Sequence, residues 1–433
     1  MSDLDLSRFH DAVMERPPIR PAGRVMRVAG LTVEASGPPV PVGGLCRLEP
    51  GIRAEAVGFR EGRLLLMPLE PLQGVYPGGR VFAEEAQAGV PVGEGLLGRV
   101  LDGLGAPTDD RGPIRTEGRY PLYADAVNPL LRRRIREPLE TGVRAIDALT
   151  TLGRGQRMGI FAGSGVGKSA LLGMIARNCA ADVNVVALIG ERGRELNDFL
   201  ERDLGPEGMA RSVVVVATSD QPALIRMRAA WTAAAVAEYF RDRGRQVLLM
   251  MDSLTRFAMA GREVGLAAGE PPTSKGYTPS IFAALPRLLE RAGNGAGPGG
   301  ITGLYTVLVE GDDPNEPIAD AARGILDGHL WLTRELAARN HYPAIDVLES
   351  VSRTMPDTAT PEHRALAGRL RSTLAVYRRA EDLIAVGAYS KGGSREIDEA
   401  IRRIDRINAF LRQDMAESSS LADTMKALEA IFA

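Results

Sequence analysis

The segment that most constrains this chain is Phe161-Ala162-Gly163-Ser164-Gly165-Val166-Gly167-Lys168-Ser169. An apolar run, Met158 to Ala162, leads into it, and a helical pattern, Lys168 to Asn178, leads out. Glycines at positions 163, 165 and 167 let backbone N–H groups converge on phosphate oxygens, and the start of the helix adds a favourable dipole. A strand, such a loop and a helix in that order read as a phosphate loop, with Gly163, Ser164, Gly165, Val166 and Gly167 as its cradle. Lys168 can reach the β- and γ-phosphates, and the Ser169 hydroxyl can ligate Mg²⁺. The usual pattern opens with Gly, and here that position is Ala162.

The surrounding sequence agrees with such a loop. From Pro138 to Pro356, apolar runs at Val185–Ile189, Val213–Ala217, Val247–Met251 and Thr302–Val309 alternate with helical stretches, notably Pro222–Arg241. That alternation predicts a mainly parallel sheet covered by helices. Upstream, from Gly23 to about Val90, short β-like runs are punctuated by Gly and Pro, the pattern of a small all-β domain, a barrel. Residues 91–140 are a Pro- and Gly-rich connector carrying Arg132, Arg133, Arg134 and Arg136. For that cluster a solvated loop is preferred over an anion patch.

After Thr360 the chain reads as helical. Thr360 is a cap with Pro361 at the first helical position, ahead of a Leu366, Leu370, Leu374, Tyr377 stripe. A second helix carries Ile397, Ile401, Ile404 and Leu411 behind Ser394, and a third starts at Ser420 with Asp423 as a capping box. The expected architecture is therefore multidomain. It has a segment at 1–22, a β-barrel at 23–90, an α/β phosphate-loop domain at 91–357 with its connector, and a helical domain at 358–433. Within the first segment, Leu6, Phe9 and Val13 suit either a docking helix or a frayed terminus.

Composition narrows the chemistry. The 433 residues carry 53 Lys and Arg against 55 Asp and Glu, a net charge of -2, which argues against a generic polyanion binder. Two cysteines, Cys46 and Cys179, exclude a disulfide scaffold or a cysteine zinc site. The N-terminus has early acidic residues and no apolar core, so no signal peptide is expected. No run approaches the ~18 apolar residues of a membrane span. The four histidines, His10, His329, His341 and His363, lack metal-ligand spacing and read as ordinary surface or core residues.

Two further elements bear on the loop. Val247–Asp252 is a buried strand ending in a carboxylate, the usual partner of the phosphate-loop cation. Gly190-Glu191-Arg192-Gly193-Arg194-Glu195 follows another strand, and Glu191 there can orient an attacking water. Local sequence leaves a charged surface turn equally open for it.

Several long blocks, in order, carry a family resemblance. They are AGSGVGKS, IGERGRE, MMDSLTRFAMAGREVGLAAGEPPTSKGYTPSIFAALPRLLERAG, YTVLVEGDD and DGHLWLTRELAARNHYPAIDVLESVSR. From about Gly23 onward the chain resembles the type III secretion ATPases, relatives of the catalytic subunits of rotary ATP synthases. Val386–Gly392 looks more like the flagellar export branch than the injectisome branch. The resemblance implies a RecA-like core and Mg²⁺-dependent ATP hydrolysis. By position it gives Lys168 and Ser169 the phosphate and Mg²⁺ contacts and Glu191 the activation of water. Arg192 matches a phosphate-proximal arginine, and Glu195 a carboxylate behind the Mg²⁺ site. Asp252 is the Mg²⁺-site aspartate, with Arg256 in the same block. Tyr342 packs on adenine, and Arg353 is an arginine finger given to a neighbouring subunit. The implied assembly is a homohexamer, with Gly269–Tyr277 facing a central pore and stalk protein. Its implied partners are a stator-like regulator at the N-terminus, export chaperones and substrates, and an export gate. The implied setting is cytoplasmic, peripheral at the membrane, with no nucleic acid. An injectisome ATPase is the nearest alternative. A non-catalytic rotary subunit would lack Glu191. An RNA-translocating helicase would need an aromatic, basic barrel, whereas residues 23–90 offer only Phe59, Tyr76 and Phe82 among acidic residues.

Overall fold

In the computed structural model, residues 21–85, 89–309 and 316–433 are described. The segment with Leu6, Phe9 and Val13, read as either a docking helix or a frayed terminus, lies outside them. Six strands, β1 (Ala22–Ala29), β2 (Thr32–Ala35), β3 (Leu45–Leu48), β4 (Ile52–Arg60), β5 (Arg63–Pro68) and β6 (Arg80–Glu85), close an antiparallel barrel in the order β1-β2-β5-β4-β3-β6. Closure leaves no free sheet edge. Val25, Val33, Cys46, Leu48, Ala54, Leu66 and Val81 fill the interior. This barrel belongs to a first compact unit, residues 1–88, and residues 89–433 form a second.

The second unit is built on one large sheet. Its strands are β8 (Arg99–Asp102), β10 (Arg157–Ala162), β11 (Val183–Ile189), β12 (Ser212–Ala217), β13 (Gln246–Asp252), β15 (Gly300–Leu308), β16 (Gly328–Leu332) and β17 (Val351–Ser352). They lie in the order β17-β16-β10-β15-β13-β11-β12-β8, all parallel except β17. Two short strands, β7 (Gly89–Val92) and β9 (Gly118–Pro121), pair with each other, and β14 (Gly293–Asn294) pairs with β15. All seven residues of β11 are buried, as expected of a strand covered on both faces. The helix Ala223–Asp242 packs on β11, β12 and β13. Its run of Ala229, Ala230, Ala233, Ala234 and Ala237, all buried, allows close approach to the sheet.

Of the eight strands in that order, the sequence missed β8, β16 and β17. The connector at 91–140 hides β8, which extends the main sheet beside β12. Four residues, Arg-Val-Leu-Asp, are too short to show a period among so many Gly and Pro.

The last three helices span Pro361–Ala385, Arg395–Leu411 and Leu421–Ala430. Thr360 caps the first by accepting from His363 N–H at 3.2 Å, and Ser420 caps the third by accepting from Asp423 N–H at 3.1 Å. Leu370, Ile407, Phe410, Leu411 and Leu428 join the same hydrophobic core as Ile146, Leu172 and Met250. In the middle helix the buried face runs through Ala400, Ile404, Ile407 and Phe410, while Ile401 is 37% exposed. The expected stripe was thus rotated slightly from the real one, because Ala400 and Phe410 outweigh a face drawn from isoleucines alone.

Candidate active site

Parallel strands bring their C-terminal ends to one edge of the sheet, where the following loops gather. There β10 enters Gly163–Gly167, β11 leads to Gly190 and Glu191, β13 ends on Asp252, and β15 ends at Leu308. Gly165 (φ +79°) and Gly167 (φ +90°) hold left-handed backbone, which glycine adopts without steric penalty. A Cβ on Gly165 would meet nothing within 4 Å, so the loop is open there. A Cβ on Gly167 would lie 3.3 Å from the Tyr342 ring. Tyr342 therefore stands beside the last loop glycine. It is 40% exposed, and its carbonyl accepts from Gln413 N–H at 2.9 Å.

Lys168 begins the helix Lys168–Asn178. Its Nζ donates to Asp252 Oδ1 at 2.5 Å and lies 3.7 Å from Glu191 Oε1. All three side chains are largely shielded from water, at 12%, 6% and 16% exposed for Lys168, Asp252 and Glu191. Burial opposes the ammonium charge of Lys168, but the Asp252 and Glu191 carboxylates outweigh it and hold the lysine above its ordinary value. Burial pushes Glu191 up to about 7, and the Asp252 charge adds to the push against the pull of Lys168. Glu191 Oε1 is buried without a hydrogen-bond partner. An acceptor in that state is unfavourable unless something arrives to donate to it.

The other residues singled out by sequence lie at different distances from this cluster. Ser169 is exposed beside Lys168. Arg192 and Glu195 pair with each other at 3.1 Å, with side chains 79% and 48% exposed. Glu195 is also close enough to Glu191 to help raise it. Arg256 packs against Gly190, where a Cβ would come within 3.1 Å of its side chain, and its Nε is buried without a partner.

Arg353 is elsewhere. It follows β17 at the opposite end of the sheet, and its N–H donates to Asp327 O at 2.9 Å. Asp327 N–H in turn donates to Arg157 O at 2.8 Å, at the start of β10. The length of β10, six residues at ~3.3 Å each, puts roughly 20 Å between that point and the phosphate loop. Within one chain, Arg353 and Glu191 do not meet.

Thr306 was missed by sequence reasoning. Its hydroxyl donates to Asp252 Oδ1 at 2.7 Å from the middle of the sheet. A threonine inside the apolar run Gly300–Leu308 was the available signal. His329 and His363 each pair a ring nitrogen with a backbone carbonyl, at 2.9 and 2.8 Å, as ordinary histidines do. Both cysteines are free and buried.

The donor set suits one kind of cation. No group of three or more His, Cys, Asp or Glu able to hold a metal occurs among the described residues. What the loop offers is one buried carboxylate, Asp252, and one exposed hydroxyl, Ser169. That fits an ion that keeps waters and arrives with phosphates, as Mg²⁺ does, and not an all-protein cage.

Comparison with known proteins agrees with this chemistry. The nucleotide-binding domain of the ATP synthase alpha/beta family matches residues 142–352, and the T3SS EscN ATPase C-terminal domain matches residues 359–430. The flagellum-specific ATP synthase of Bacillus subtilis (strain 168) is 53% identical over 417 residues, 94% of each chain. The type 3 secretion system ATPase of Xanthomonas euvesicatoria is also 53% identical, over 94% of this chain and 93% of that one. Among solved structures, the assembled ATPase EscN of the enteropathogenic E. coli type III secretion system matches with a TM-score of 0.91 at 46% identity. It covers 95% of this chain and 100% of that one. EscN in complex with its central stalk EscO gives a TM-score of 0.88 at the same 46% identity, covering 95% of this chain and 100% of that one.

Proposed function

The chain belongs to the flagellar and type III secretion ATPases, and on that premise we propose that it hydrolyses ATP in a homohexameric ring that energises flagellar-type protein export, with each catalytic site completed between neighbouring subunits. Backbone N–H groups of Gly163, Ser164, Gly165, Val166 and Gly167 cradle the phosphates, and Tyr342 packs on the adenine. Lys168 exchanges Asp252 for the phosphates when nucleotide enters. Ser169 and Asp252, with Glu195 behind them, would hold the magnesium ion that accompanies the nucleotide and neutralises phosphate charge. Glu191 accepts a hydrogen bond from the attacking water through its unpartnered Oε1 and aligns it. Arg192 lies alongside as a phosphate-proximal cation. Arg353 of the next subunit stabilises the charge that develops in the transition state.

The observation that carries this reading is the separation of Arg353 from Glu191 within one chain. Half of a site lies at each end of the same sheet. EscN was solved as an assembled ATPase and with its central stalk EscO, which supports a ring and a stalk here. The loop Gly269–Tyr277 is the segment that would meet the stalk, and residues 1–22 the segment that would bind a stator-like regulator. Chaperones, cargo and an export gate complete the partners, with the ring docked peripherally at the cytoplasmic face. No helix among the described residues is long and apolar enough to cross a membrane. We read residues 23–90, 91–357 and 358–433 as barrel, ATPase and helical domains.

The test is specific ATPase activity against chain concentration, with and without Mg²⁺. Activity per chain that climbs steeply with concentration supports sites completed between subunits. Activity that stays flat while the chain runs as a monomer refutes them. The injectisome branch is the second reading, since relatives from both branches reach 53% identity. The Val386–Gly392 turn favours the flagellar branch, and restored motility in a cell lacking its flagellar export ATPase decides between them.

A further inference from the structure

Two threonines interrupt the apolar strand β15. The Thr302 hydroxyl accepts from Gly155 N–H at 2.9 Å and serves the backbone. Thr306 is wholly buried and serves a charge, donating to Asp252 Oδ1 at 2.7 Å. Its other acceptor, Met251 O, is at 3.4 Å, and with one proton to give the hydroxyl bonds the nearer carboxylate. Valine would fill this strand position equally well and bury no polar atom. The hydroxyl therefore has a use, and Asp252 is its partner.

The place of β15 in the sheet sharpens this. It lies between β10 and β13, with Thr306 opposite Ile160 on one side and Tyr305 opposite Met251 on the other. Val309 N–H donates to Ala162 O at 3.0 Å, at the root of the phosphate loop. Leu308 N–H donates to the Thr255 hydroxyl at 2.8 Å, just past Asp252. The end of β15 thus ties the two elements of the site together, and Thr306 carries that tie to the carboxylate itself.

Thr306 and Lys168 share one oxygen, Oδ1. When Lys168 turns to phosphate, Oδ1 loses its charged donor while its carboxylate stays shielded from bulk water. We propose that Thr306 is a positioning residue: it keeps Asp252 an oriented anion, ready for a divalent cation, once Lys168 has left. The inference rests on the reading of Asp252 as the cation-side carboxylate.

The test uses the full-length chain and a fluorescent ADP analogue, titrated first in EDTA and then with increasing MgCl₂. Thr306→Val is expected to bind the analogue in EDTA as the native chain does. It is also expected to need about 10- to 100-fold more Mg²⁺ for the metal-dependent gain, the scale of one hydrogen bond to a charged group. Thr306→Ser, which keeps the hydroxyl and removes a methyl, is expected to restore the native Mg²⁺ titration. Superimposable Mg²⁺ titrations of Thr306→Val and native chain overturn the proposal. So does a Thr306→Ser chain that fails as badly as Thr306→Val, since the effect is then one of packing. Asp252→Asn separates the two levels: if it leaves the Mg²⁺ titration unchanged, the assignment of Asp252 falls and Thr306 loses its premise with it.

Discussion

If Arg353 acts across a subunit boundary, two dead variants can rescue each other. Glu191→Gln leaves the phosphate loop intact but removes the carboxylate we propose aligns water, and is expected to lose on the order of 10²–10⁴ in turnover. Arg353→Ala is expected to lose ~10³, the scale of an arginine finger. Both should bind ATP like the native chain, because neither residue makes the cradle. In a ring assembled from equal amounts of the two variants, a site is whole when its own subunit carries Glu191 and its neighbour carries Arg353. Random mixing in a head-to-tail ring gives each condition half the time, so roughly one site in four is complete. The mixture should then show roughly a quarter of native activity, far above either parent, in a coupled ATPase assay after dissociation and reassembly. The roughly 20 Å along β10 forbids the same rescue within one chain. A mixture no more active than the mean of its parents, with mixed rings demonstrated by native mass spectrometry, refutes the trans assignment of Arg353.

Further outcomes are expected. Burial first, and then the charge of Asp252, raise Glu191 to about 7, so its basic form appears only as pH rises through that value. The kcat/KM for ATP, which reports the free enzyme, should therefore fall below about pH 7, and the limb should vanish in Glu191→Gln. Gly167→Ala should weaken nucleotide binding about tenfold, since a left-handed alanine is strained by roughly 1–2 kcal/mol and its Cβ meets Tyr342. Gly165→Ala, strained alike but in open space, isolates the Tyr342 share in the same titration. Arg291 is buried and donates to Glu238 and to Leu122 O, so Arg291→Met should cost about 3 kcal/mol in urea unfolding, leaving Glu238 only the more distant Arg241 at 3.9 Å. Deleting residues 2–18 should abolish binding of the stator-like regulator while sparing nucleotide binding, as measured by pull-down and ADP titration.

Where the sequence was legible, a local physical reason made it so. The helix Lys168–Asn178 was readable to the residue because a glycine loop must stop before it and the periodic stripe Leu171, Leu172, Ile175 must continue within it. The five buried strands were readable because a parallel sheet covered on both faces demands unbroken apolar runs. Strand β8 was not, because pairing with β12 and not its own composition makes it a strand. Thr306 shows the same limit at the site. The sequence displays a threonine in a strand, but only the register that sets β15 between β10 and β13 brings its hydroxyl to Asp252. Glu191 could equally have been a charged turn on local grounds, until burial beside Lys168 left one of its oxygens without a donor.

The polarity of the sheet accounts for what a single chain leaves incomplete. A parallel sheet has two unlike ends, and here they carry unlike chemistry. The C-terminal ends of β10, β11 and β13 carry the phosphate loop, Glu191 and Asp252. Arg353 stands at the other end, fixed to the start of β10 through Asp327. A two-fold dimer would make the Arg353-to-Glu191 contact twice between the same two copies and stop there. A head-to-tail contact that brings Arg353 of one copy to Glu191 of the next instead either closes into a ring or runs on as a filament. If Arg353 serves a neighbour's site, the places of the phosphate loop and Arg353 on one sheet call for a second copy of the chain.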